Sequence, residues 1–281
     1  MRRRSPDPMQ AGNGLVSRRR PATIAATVAA VLIIGLVSAA LSGLFSGPGK
    51  ASAATAATVP PRPKATRSPV AAAPPGTRTS CTSVAHIGDS TSVGMVSPEW
   101  LPDASQRLAA QYHDVGVRTV RINASGGRSI VEELPGQRNG YLVATDWYSA
   151  GYRGCWVIAL GTNDAANIAA GSNVGMQARI AEMMAAVHGE PVMWVTTQTD
   201  LTSGYWSEAN MAQWNSALIR ASRHYPNMRI FNWAAMVQPS WHLTDGIHYT
   251  SAGYAIRAAA IAHALALAFP AGGHSKTTVV N

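Results

Sequence analysis

The sequence predicts an α/β fold, a three-layer α/β/α sandwich around a five-stranded parallel sheet. Three observations predict it. Short apolar runs rich in β-branched and aromatic residues alternate with longer segments of helical periodicity. The runs are bounded by Gly, Asn, Asp or Pro, which end strands. Residues capable of chemistry cluster just past the runs, and parallel sheets gather functional groups at the carboxyl ends of their strands.

The elements follow in order. Val84–Gly88, Arg118–Ile122, Trp156–Leu160, Val192–Thr196 and Met228–Trp233 read as strands. Between them, Ser105–Tyr112, Tyr141–Tyr152, Val174–Val187 and Glu208–His224 read as helices, and Ala252–Phe269 as a last helix that ends before Pro270. The βαβα order calls for right-handed crossovers with helices on both faces of the sheet. Residues 271–281 read as a disordered tail, and there is no internal repeat.

What precedes this domain (81–270) is of another kind. Of the 281 residues, positions 1–80 hold eleven Lys or Arg against the single acid Asp7, whereas the remainder holds twelve bases and thirteen acids. The formal net charge of +9 therefore belongs to the N-terminal part. It gives no reason to expect a nucleic-acid partner for the domain. Residues 1–21 read as a basic cytoplasmic N-terminus, with Arg2–Arg4 and Arg18–Arg20 ahead of an uncharged apolar stretch, 22–46. From Ala22 to Phe45 that stretch would reach about 36 Å as a helix, enough to cross a bilayer. The positive-inside rule then places the domain outside the membrane. A signal peptide cleaved near Ala51-Ser52-Ala53 is the alternative, and it exports the domain equally. Residues 47–80 are rich in Ala, Pro, Ser and Thr. As polyproline II they make a spacer of at most about 100 Å.

The two cysteines, Cys81 and Cys155, both lie in the exported part. Each stands at the start of an apolar run, at the same level if the two strands are parallel neighbours. Strands about 4.8 Å apart bring such a pair near disulfide range. A Cys81–Cys155 bridge is expected in that oxidising location, with two buried free thiols as the alternative.

Four short blocks carry the chemistry. Gly88-Asp89-Ser90 follows the first run, Ser125-Gly126-Gly127-Arg128-Ser129 the second, and Gly161-Thr162-Asn163-Asp164 the third, while Asp245-Gly246-Ile247-His248 precedes the last helix. A serine hydroxyl needs a base to take its proton, and a histidine titrates in the right range. An aspartate three residues before that histidine can hold its tautomer. The tetrahedral intermediate then needs hydrogen-bond donors.

In these four blocks and their order, over roughly residues 81–270, the chain resembles the SGNH (GDSL-like) hydrolases. The resemblance implies the flavodoxin-like SGNH hydrolase fold, a Ser90–His248–Asp245 catalytic triad, and an oxyanion hole from the Ser90 N–H, the Gly127 N–H and the Asn163 side chain. Gly127 fits the family's Gly-x-Ser/Thr spacing best, with Gly126 open. Ester chemistry through an acyl-enzyme is implied, with no cofactor and no metal. Taken singly, each block has a plainer reading, since Asp89, Asn163 or Asp164 can cap a helix and Asp245-Gly246 can be a turn. Asp89 is expected to be structural. His86 reads as a packed core histidine, and His242 is a weaker candidate to line the site. Arg128 can meet an anionic substrate group or form a salt bridge. Trp100, Tyr205, Trp206 and Trp241 can wall a pocket or pack beneath loops. Absence of G-x-S-x-G argues against the α/β-hydrolase elbow, and no phosphate-binding glycine loop occurs in the domain.

The expectation is therefore an extracytoplasmic serine esterase or O-acyltransferase. The membrane is reached through the N-terminal helix, and the substrate is an ester-bearing envelope glycan or glycolipid. A non-catalytic glycan-binding module, or a lipase or thioesterase on lipids, is the alternative.

Overall fold

In the computed structural model, which describes residues 77–273 and 277–281, every expected apolar run is a strand. The basic N-terminus, the apolar stretch and nearly all of the spacer lie outside the described residues. The strands are β1 (Ser83–Gly88), β2 (Thr119–Ala124), β3 (Cys155–Ala159), β4 (Val192–Val195), β5 (Met228–Phe231) and β6 (Val279–Val280), all parallel, in the order β2-β1-β3-β4-β5-β6.

The sixth strand corrects the five-strand expectation and the loose-tail reading of 271–281. Val279 and Val280 pair with Ile230 and Phe231, and Val280 is buried. Two residues are too few to show alternation, so only the exposed edge of β5 reveals them as a strand. Covering that edge also removes a row of unpaired backbone groups.

The helices are α1 (Ser90–Val93), α2 (Leu108–Asp114), α3 (Gly140–Ser149), α4 (Thr162–Ala169), α5 (Met176–Ala186), α6 (Glu208–Ala221) and α7 (Ser251–Ala268). The helix expected over Ser105–Tyr112 is divided into a 3-10 turn, Ala104–Gln106, and α2. Neither α1 nor α4 is among the expected helices. Side-chain alternation along the strands divides the core between two faces. Val84, Val157 and Met193 pack with α2 and α7 on one face, while Ala85, Ile87, Trp156, Ile158 and Trp194 pack with α3, α5 and α6 on the other. By length and composition α7 is apolar enough to cross a membrane. Here it lies on the sheet, with Tyr254, Ala258, Ile261, Ala262 and Leu265 fully covered.

Register positions the site. Gly88 pairs with Ala124 on one side and with Ala159 on the other. The three blocks that follow these residues therefore leave the sheet at the same edge. At the opposite ends of the same strands, Cys81 and Cys155 form a disulfide with 5.7 Å between Cα atoms. Closing that loop stabilises the fold by roughly 4 kcal/mol on chain-entropy arguments.

Candidate active site

The first block is a tight strand-to-helix turn. A Cβ on Gly88 would meet Ser92 Oγ at 2.2 Å, so only glycine lets the chain turn here. Asp89 caps α1: its Oδ1 accepts from Thr91 N at 2.8 Å and from Thr91 Oγ1 at 2.7 Å. Asp89 is fully buried, and burial raises its pKa against the opposing effects of Thr91, Arg257 and His248. Its part is to hold the turn. Ser90, the first residue of α1, is half-buried and reaches solvent. Behind it His86 bonds Tyr112 Oη at 2.9 Å and Ser92 Oγ at 3.1 Å. Burial and the Arg257 charge lower its pKa to about 3, as a neutral packed histidine requires.

The last block is built by local hydrogen bonds. Asp245 Oδ1 accepts the backbone N–H groups of Ile247 and His248, each at 2.9 Å, and Oδ2 lies 2.7 Å from His248 Nδ1. Burial raises the Asp245 pKa, but the bonds from His248 and the two backbone N–H groups outweigh it and leave the pKa lowered. A carboxylate at Nδ1 places the proton there and leaves Nε2 as the basic nitrogen. Gly246 takes φ +67°, and a Cβ on it would come within 2.9 Å of Asp200 O. Among the described residues no hydrogen bond joins Ser90 to His248. Such bonds are often loose before substrate binds.

The glycine block and the third block meet each other. Gly127 takes φ +70° in the turn after β2, and a Cβ on it would strike Leu134 Cδ1 at 2.7 Å, whereas Gly126 faces open space. Asn163 lies in the first turn of α4, after Gly161 at φ +142°. Its Nδ2 donates to Arg128 O at 3.1 Å, and its Oδ1 accepts from Trp206 Nε1 at 3.4 Å. One Nδ2 hydrogen remains for a ligand. The Ser90 N–H, at the start of a helix, is likewise without an intrahelical acceptor.

Beneath these donors lies a buried polar network that the sequence reading missed. Asp164 Oδ1 accepts from Ile130 N and from Arg179 Nη1, both at 2.9 Å. Arg179, fully buried, also pairs with Glu132. Glu132 accepts in addition from Ser129 Oγ at 2.6 Å and from Asn167 Nδ2 and Ser172 Oγ at 2.9 Å. Burial raises the Glu132 pKa, but its donors outweigh that and hold it at about 2. The network fastens the loop after Gly127 to α4 and α5. Asp164 standing three residues after Gly161, in a helix's first turn, was the available sequence signal.

The remaining candidates divide. Arg128 forms no salt bridge among the described residues, which removes that half of its reading. It donates instead to Asn123 O at 2.7 Å, Arg138 O at 3.2 Å and Gly88 O at 3.3 Å. Trp100 packs edge-on against Tyr254 at 5.4 Å, and Trp241 stacks on Trp233 at 5.8 Å, so both serve packing. Trp206 is exposed beside Asn163, and Tyr205, also exposed, packs edge-on against Trp206. His242 lies half-buried against Tyr249, with its pKa lowered by burial.

Residues 86–256 match the profile of the GDSL-like lipase/acylhydrolase family. No curated protein matches the chain. Among solved structures, a protein of Agrobacterium tumefaciens assigned as an arylesterase is 16% identical with a TM-score of 0.51, covering 66% of this chain and 98% of that one. A carbohydrate acetylesterase family member from Sinorhizobium meliloti is 14% identical with a TM-score of 0.50, covering 66% and 97%. The C-terminal catalytic domain of Streptococcus pneumoniae peptidoglycan O-acetyltransferase A is 18% identical with a TM-score of 0.47, covering 65% and 92%. These likenesses are of fold. The match to the profile over more than half of its length shows that the chain belongs to the GDSL-like lipase/acylhydrolase family.

Proposed function

We propose that the chain is an extracytoplasmic serine esterase or O-acyltransferase acting on O-acyl groups of envelope glycans or glycolipids, with Ser90, His248 and Asp245 as its triad. The observation that carries this reading is the 2.7 Å bond between Asp245 and His248 Nδ1, which leaves Nε2 free to act as a base. In the proposed reaction Ser90 Oγ attacks the ester carbonyl carbon as its proton passes to His248 Nε2. The Ser90 and Gly127 N–H groups and Asn163 Nδ2 stabilise the oxyanion. Collapse breaks the bond to the alcohol oxygen, which takes the proton back from His248 and leaves acyl-Ser90. Water or a sugar hydroxyl then attacks the acyl carbon by the same route in reverse.

Two observations favour glycans over lipid. Among the described residues the exposed large apolar side chains are Leu134, Tyr205, Trp206 and Met236 alone, too few to line a long acyl groove. The structural neighbour from Sinorhizobium meliloti is described as a carbohydrate acetylesterase family member. The Cys81–Cys155 disulfide supports a location outside the cytoplasm. The test is hydrolysis of p-nitrophenyl acetate and butyrate by the full-length protein beside Ser90→Ala and His248→Ala. Turnover lost in both variants is expected. Turnover that survives Ser90→Ala overturns the triad, and added sugar acceptors then separate transfer from hydrolysis.

A further inference from the structure

A cleft of about 350 Å³ opens where β2 ends, lined by Asn123, Ser125, Arg128, Gln137, Asp146 and Trp147 among others. That is within the range of small-ligand pockets. Its notable member is Arg128, only 4% exposed. Nε and Nη1 of this guanidinium are taken up by the carbonyls of Arg138, Asn123 and Gly88. Nη2 has no protein partner among the described residues, and it is not sealed from solvent. No carboxylate there stands within ion-pair distance of Arg128. Arg138 and Asp146, also lining the cleft, are joined to each other at 2.8 Å. The cleft therefore carries one buried positive charge without a counter-charge. A cation withdrawn from water in this way gains most from an anion brought against it. Burial lowers the Arg128 pKa, and the more distant Asp89 opposes this only in part.

The cleft adjoins the proposed chemistry. Arg128 follows Gly127 directly, and its carbonyl holds Asn163 Nδ2 at 3.1 Å. Its Nη1 also donates to Gly88 O at 3.3 Å, two residues before Ser90, so the guanidinium stands at the end of β1 from which the proposed nucleophile leaves. Ser125 and Gln137 offer polar atoms suited to sugar hydroxyls, and Trp147 offers an apolar wall.

We propose that this cleft binds the carboxylate of an acidic sugar through Arg128 Nη2, so that the preferred substrate is an O-acylated glycan bearing a carboxylate. The proposal rests on the esterase reading for its consequence but not for its binding test. That test is calorimetric titration of the full-length protein with sodium glucuronate, glucose and sodium acetate at one pH and ionic strength. Glucuronate is expected to bind at least about tenfold more tightly than either of the others, and to weaken with added salt. Arg128→Met is expected to abolish the preference and Arg128→Lys to retain part of it. Either change also frees three backbone carbonyls, so the wild-type comparison decides if the variants misfold. Equal binding of glucose and glucuronate, or binding of neither, overturns the proposal. Acetate binding as tightly as glucuronate overturns the sugar part and leaves a bare anion site. Ser90-dependent turnover of p-nitrophenyl acetate without a glucuronate preference sinks the subsite alone. A glucuronate preference without turnover sinks the esterase reading and leaves the subsite standing.

Discussion

The two halves of the candidate site are held in opposite ways. Ser90, Gly127 and Asn163 follow the ends of β1, β2 and β3, among turns fastened by two carboxylates with no exposure, Asp89 and Asp164. Asp245 and His248 stand on a loop, with side chains 45% and 34% exposed. Long-range bonds hold the first half, such as that of Arg179 to Glu132 across 47 residues. In the second, bonds spanning two or three residues set the Asp245 and His248 side chains, and the backbone is tied by Asp200 N–H to Gly246 O at 2.7 Å. The contrast teaches that the strand-end half carries stability as well as chemistry, whereas the exposed loop carries chemistry with little stability. The buried Asp89, Asp164 and Arg179 of the strand-end half cannot be altered without loosening the fold, whereas the base-bearing loop can lose its chemistry and stay folded.

The largest expected effect lies in the loop. Asp245→Asn should lower kcat by about 10⁴, because the amide favours the wrong imidazole tautomer. It should change unfolding free energy by less than about 1 kcal/mol, since the site is exposed. Paired kinetics and urea melts check both numbers. A stability loss on the scale of the activity loss would break the comparison. Next comes Arg179→Met, which leaves Asp164 and Glu132 facing each other without their cation. Removing one partner of a buried ion pair typically costs about 3–5 kcal/mol. The urea midpoint should fall accordingly, and an unchanged midpoint would mean the network does not brace the oxyanion half.

How much of this could be read beforehand follows the same division. The strands, the two cysteines and the local Asp245–His248 spacing were legible, because each is a pattern within a few residues. The Arg179–Glu132–Asp164 network was not, because it exists only once α5 packs against the loop after Gly127. Sequence alone shows three ordinary surface-type charges. Val279–Val280 was missed for a related reason, since a strand of two residues is defined by the β5 edge it joins. In the third block Asn163 and Asp164 read as possible helix caps, yet they lie inside the first turn of α4, whose N-cap is Gly161. Arg128 could be singled out, but its choice of backbone carbonyls over a carboxylate depended on where β1 and β2 end.

The third prediction sharpens the comparison through pH. His86 sits behind Ser90 with its pKa lowered from 6.5 to about 3. The unfolded chain therefore takes up this proton first as pH falls. The contribution of His86 to stability is full above about pH 6.5 and declines by up to about 1.4 kcal/mol per pH unit toward pH 3. In His86→Gln, denaturant-measured stability should fall less steeply between about pH 6 and 4 than in the wild type, whatever the variant's absolute stability. Equal slopes would place the acid sensitivity of the buried half elsewhere.

The smallest effect concerns a bond that reaches from the surface into the strand-end half. Trp206, exposed, donates Nε1–H to Asn163 Oδ1, while Asn163 Nδ2 is held by Arg128 O. The two bonds together determine which end of the amide faces the ester. At 3.4 Å the indole bond is long, so its net worth is about 0.5–1 kcal/mol. Trp206→Phe keeps the ring and loses the donor. It should lower kcat on p-nitrophenyl acetate by about two- to fivefold, with KM and unfolding free energy nearly unchanged. A change in KM alone would assign Trp206 to substrate contact and not to the amide. An unchanged kcat would leave the orientation of Asn163 to Arg128, and the oxyanion half would then be braced entirely from within the fold.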